Sequence, residues 1–113
     1  DKAFRFFRHR IVGEMRNGPN FAGHYSIVQI GCGAGCRFVV VADLATGRLY
    51  SFPYGGEESY NLWLTFDVKH KAVAAQWVES DKCVKDKLVW TGATFRSVGK
   101  RIIGEEGVCT PRD

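Results

Sequence analysis

Residues 18–36, GPNFAGHYSIVQIGCGAGC, compress a turn, an alternating strand and two closely spaced cysteines into one stretch. No other part of the chain restricts the fold so strongly. Gly18, Pro19 and Asn20 form a turn cluster: proline presets a turn φ, and glycine and asparagine tolerate backbone angles that other residues avoid. After Ala22 and Gly23, the run containing Tyr25, Ile27 and Ile30 reads as a strand that ends in a glycine-cysteine turn. The stretch reads as architecture before it reads as chemistry.

At 113 residues the chain is expected to form a single domain over residues 1–113, large enough for one core and small enough for cross-links to matter. Four cysteines and a single methionine, Met15, suit a mature exported chain in an oxidising compartment. Four cysteines allow three pairings, and the sequence by itself does not choose among them. Proximity favours Cys32 with Cys36, across a turn eased by Gly31, Gly33 and Gly35, and Cys83 with Cys109, which would tie the C-terminal tail to the last hairpin. The expected location is periplasmic or secreted, with a signal peptide already removed. No run approaches the roughly 20 apolar residues that span a bilayer, so membrane insertion is not expected.

Strand signals fill most of the remainder. Residues 23–29, 37–42, 48–52, 62–68, 72–78, 87–91 and 94–103 alternate or are β-branched, and turn residues separate them. Their spacing predicts a mainly β fold, an antiparallel meander of about six to seven strands braced by disulfides. Residues 2–16 mix basic and aromatic side chains too irregularly to choose between a short strand and a short helix. Residues 72–78 are apolar on both faces, which suits a central strand, whereas the basic run 94–103 suits a sheet edge. An open edge also offers a route to a homodimer, because it leaves backbone donors and acceptors unpaired.

Four spaced motifs resemble a family of small exported bacterial proteins: GPNFAGHY at residues 18–25, GCG with a second cysteine at 31–36, DxxTGxxY at 43–50, and Cys83 followed by Trp90, Gly92 and Phe95. Periplasmic immunity proteins that protect bacteria from type VI secreted peptidoglycan amidases are built on a similar scale. The resemblance implies a binding protein that neutralises such an effector by occluding its active site. The matched positions are mainly turn and core residues, so they specify a fold more than an activity.

Other chemistry finds weaker support. A small exported enzyme or thiol-redox protein using Cys32 and Cys36 is the alternative, with His24 as the nearest candidate base. His24 reads more simply as a buried or turn-anchoring imidazole bonded to backbone. Cys32 and Cys36 with His24 or His70 lack the two tight ligand pairs of a structural zinc module, so no metal and no cofactor are expected. A net charge of +4 raises the question of nucleic acid. Residues 1–20 hold five basic and two acidic side chains, residues 21–66 two and three, and residues 67–113 nine and seven. Only the N-terminal arm is distinctly basic, with Arg5, Arg8 and Arg10 near Phe4, Phe6 and Phe7, and no nucleic-acid module accompanies it.

A recognition surface is left as the expected functional element. Residues 53–61 form the longest irregular segment after the cysteine turn, and loops on rigid sheets carry recognition residues. Tyr54, Glu57, Glu58, Ser59 and Tyr60 are therefore the expected partner-binding residues: the tyrosines as amphipathic anchors, the glutamates as charge for a basic cleft.

Overall fold

The computed structural model describes residue 5 and residues 7–109. Alternation along the first two strands decides how its layers stack. β1 (Tyr25–Gly33) and β2 (Cys36–Asp43) pair antiparallel from Tyr25 opposite Asp43 to Gly31 opposite Arg37, and β3 (Leu49–Ser51) extends the sheet beside β2. Successive strand residues point to opposite faces. Tyr25, Ile27, Val39 and Val41 therefore enter one core, whereas Val28, Ile30 and Val40 meet the buried Ile11 of helix α1 (Arg8–Met15) in another.

The second sheet contains β4 (Tyr60–Thr65), β5 (Ala72–Glu79), β6 (Lys82–Trp90), β7 (Phe95–Ser97) and β8 (Arg101–Glu105). β5 lies between β4 and β6, as its two apolar faces predict, while β7 and β8 share the far side of β6. The sheets pack face to face over Phe21, Leu62, Leu64, Val73, Trp77, Leu88 and Trp90, all buried. Burying a large apolar side chain is worth about 1.5–3 kcal/mol, so this shared core is the main stabilising layer. Trp90 lies among rings of Tyr25, Tyr50 and Phe95, at centroid distances of 5.3, 5.2 and 4.7 Å.

The turn at residues 18–25 joins the two sheets. The Asn20 side-chain amide donates to the Ile27 carbonyl at 3.1 Å and accepts from the Ile27 amide at 2.8 Å, imitating a neighbouring strand along β1. Ala22 and Gly23 donate to the carbonyls of His70 and Val68 in the β4–β5 connection. Phe21 follows with no exposed surface, its ring against Phe66 and Phe95. The architectural reading of this stretch thus acquires specific bonds.

Both favoured disulfides form, Cys32–Cys36 and Cys83–Cys109. The second draws the 3-10 turn Glu106–Val108 toward the outer side of the second sheet, where Cys83, Cys109, Val78 and Ile103 pack together. Closing a loop of 26 residues contributes about 3 kcal/mol in the chain-entropy picture.

The structure refines several element boundaries. The N-terminal segment is a helix, with Arg5, Arg8 and Arg10 exposed and Phe7 against Phe38; Phe4 and Phe6 lie outside the described residues. The strand expected at 87–91 begins at Lys82, because Ser80 and Asp81 make a tight hairpin at positive φ without a glycine to announce it. The run 94–103 breaks into β7 and β8 around residues 98–100. The expected meander divides into two stacked sheets, because the apolar inner faces, carrying Val39 and Val41 on one and Val73 and Trp77 on the other, are buried against each other.

Asn20→Ala removes both bonds to Ile27 and should lower stability by about 2 kcal/mol in urea denaturation. Asn20→Asp keeps the acceptor and should lose about half as much.

Candidate functional site

The segment after β3 enters the structure through aromatic packing. Phe52 is buried against Phe95, and the Tyr54 ring lies 4.1 Å from that of Trp77. The Tyr54 hydroxyl donates to Asp86 Oδ2 at 2.6 Å, and the Ser97 hydroxyl donates to Oδ1 at 2.8 Å. Asp86 lies on β6 with no exposed surface, so these two hydroxyls replace the water its carboxylate loses on burial. Burial, followed by the hydrogen bond to Asp86 and the charges of Asp86 and Glu79, raises the Tyr54 phenol well above its ordinary value of 10.0. The Lys100 ammonium lies within 6 Å of the ring centres of Tyr54 and Trp77, at 5.9 and 5.8 Å.

The rest of the loop is tied to its own backbone and to the cysteine hairpin. Gly55 N–H donates to the buried Ser59 hydroxyl at 3.1 Å, and Ser59 N–H donates to Gly56 across the 3-10 turn Gly56–Glu58. The Tyr60 ring lies over Gly35, which has φ +71° and no room for a Cβ beneath that ring. Asn61 N–H donates to the Gly35 carbonyl at 2.8 Å. The loop is therefore anchored at both ends before it presents anything to solvent.

Of the five expected partner-binding residues, the structure turns two inward. Tyr54 and Ser59 hold the loop; Glu57, Glu58 and Tyr60 are exposed. These three share a surface hollow of about 730 Å³ with Val78, Glu79, Ser80, Asp81 and Glu106. Glu79 is oriented by the Trp77 indole, which donates to Oε1 at 3.0 Å, and Glu106 N–H donates to the Asp81 carbonyl at 3.0 Å. Five carboxylates around one aromatic edge make an acidic ledge on a chain of net charge +4. Such a ledge can attract and dock a cationic surface, with Tyr60 as the amphipathic contact.

Glu79, Asp81 and Glu106 escaped the sequence reading. They come from the end of β5, the β5–β6 turn and the last 3-10 turn, and no local motif marks their convergence with Glu57 and Glu58.

Cys32 and Cys36 are joined to each other near the far end of β1, whereas His24 precedes its first residue. Contrary to the buried, backbone-bonded reading, His24 is exposed. It stacks on Tyr25 at 4.3 Å and faces Asp43 Oδ1 at 3.4 Å. His70 pairs with Asp67 at 2.8 Å, so neither imidazole is directed at the cysteine pair.

No protein-family model, curated protein or solved structure matches this chain. The folded chain is thus defined as a disulfide-braced double sheet that carries an acidic ledge.

The raised Tyr54 value carries a pH signature. The unfolded phenol ionises near 10, before the folded one, so this contribution is full below pH 10 and declines as pH rises above it. Tyr54→Phe should cost about 1–2 kcal/mol in urea denaturation at neutral pH, and clearly less at about pH 11.

Proposed function

We propose that this chain is an exported inhibitor, most concretely a periplasmic immunity protein that neutralises a peptidoglycan-degrading amidase delivered by type VI secretion. The exposed trio Glu57, Glu58 and Tyr60, held on a loop anchored at both ends, is the observation that carries the reading. An inhibitor needs a preordered projection, because every loop residue that orders only on binding subtracts from affinity. The ledge offers its carboxylates to a basic groove rim while the loop and the Tyr60 ring fill the space a substrate would occupy. No covalent step is required.

Two further features support the setting. The cross-linked cysteines suit an oxidising compartment, and among the described residues no helix is long and apolar enough to cross a membrane. The amidase as partner rests on the likeness in scale to periplasmic immunity proteins, while the motifs at residues 18–25, 31–36 and 43–50, mainly turn and core positions, bear on the fold.

The test is titration calorimetry against a type VI peptidoglycan amidase, paired with an assay of wall hydrolysis. The unaltered chain should bind and suppress hydrolysis. Glu57→Gln/Glu58→Gln/Tyr60→Ala should weaken affinity by about 100-fold or more and restore hydrolysis. Unchanged affinity in this variant would overturn the assignment of the ledge, and failure of the unaltered chain to bind would overturn the amidase.

A further inference from the structure

The two sheets are covered unequally on their outer sides. Helix α1 packs on the first sheet, but on the second the apolar cluster around Cys83 and Cys109 occupies only one end. Beyond that end lies a hollow of about 500 Å³ with Thr65, Ala72 and Ala74 along it and Lys85, Lys87 and Arg101 beside them. Asp67 also lines it, already bonded to His70 and to the amides of Lys69 and His70.

The positions of these cations are unusual. Charges on an edge strand discourage unwanted strand pairing, but Lys85 and Lys87 lie on β6, which has neighbours on both sides. Lys85 stands directly opposite Arg101, a like-charge pairing that disfavours the sheet. Lys85, Lys87 and Arg101 have no ion-pair partner among the described residues. Trp63 stands opposite Gln76, and Gln76 opposite Lys85, so an indole 46% exposed begins the same cross-strand row.

We propose that this face binds an anionic polysaccharide, with Trp63 stacked on a sugar ring and Lys85, Lys87 and Arg101 on the carboxylates. Strand spacing places Trp63 about 10 Å from Lys85 across the row, roughly the reach of a short run of sugar units. Two alternatives fit less well. A protein interface would bury lysines at its centre, where lysine is depleted, and beside Trp63 the small alanines add little apolar area. A single-stranded nucleic acid is held by successive stacking platforms, and this face has one indole. The proposal stands apart from the inhibitor reading, since Glu57, Glu58 and Tyr60 do not line this hollow.

Trp77 and Trp90 are 1% and 2% exposed, so acrylamide quenching of tryptophan fluorescence reports on Trp63. Titration with an oligogalacturonate should shield Trp63 from the quencher. Affinity should fall about tenfold or more as salt rises from about 50 to about 200 mM. Lys85→Gln/Lys87→Gln/Arg101→Gln, checked to melt no lower than the unaltered chain because it relieves the Lys85–Arg101 pairing, should lose at least about tenfold in affinity. The neutral methyl-esterified oligomer should not bind. Absence of shielding, unchanged affinity in the folded triple variant, or tighter binding to oligothymidylate than to the oligogalacturonate would overturn the proposal.

Discussion

The indole of Trp77 connects the interior of this protein to its candidate surface. It is 1% exposed between the two sheets, its ring supports Tyr54, and its N–H orients Glu79 on the acidic ledge. Tyr54 in turn reaches the buried Asp86 on the neighbouring strand. The loop that carries Glu57 and Glu58 is thereby fastened to the core through one aromatic contact and one carboxylate. If the sheets separated, the loop would lose its anchor and the ledge its shape.

This dependence explains why the turn at residues 18–25 is so specific. A two-sheet stack has to fix how one layer sits on the other, and apolar packing alone tolerates sliding. Asn20 fixes its segment along β1, while Ala22 and Gly23 bond to the connection between β4 and β5. The Cys32–Cys36 hairpin adds a second contact, since Gly35 lies under Tyr60 and accepts from Asn61. Direct backbone bonds thus supplement the apolar contact between layers.

Much of this scaffold was legible in the sequence because it follows period-two alternation and turn chemistry. The central place of β5 and the structural character of Asn20 belong to that class, whereas the pairings Cys32–Cys36 and Cys83–Cys109 were favoured by proximity along the chain and chosen by the fold. β6 was harder to read: it carries lysines outward and a buried aspartate inward, and its hairpin uses Ser80 and Asp81 at φ values of 51° and 63°. The candidate site was half legible. Glu57 and Glu58 are exposed as loop residues should be and Tyr60 is exposed at the start of β4, yet Tyr54 bonds inward to Asp86 and Ser59 accepts from the loop's own Gly55 amide. Glu79, Asp81 and Glu106 arrive through tertiary proximity, which no local pattern encodes.

The central claim is that residues 55–61 form a preordered projection. Amide hydrogen exchange on the free protein tests it most directly, because Gly55, Ser59 and Asn61 all donate within the structure. Protection of these three amides, lost together in Tyr54→Phe, is the predicted result. Exchange at unstructured-peptide rates in the unaltered protein would contradict the account.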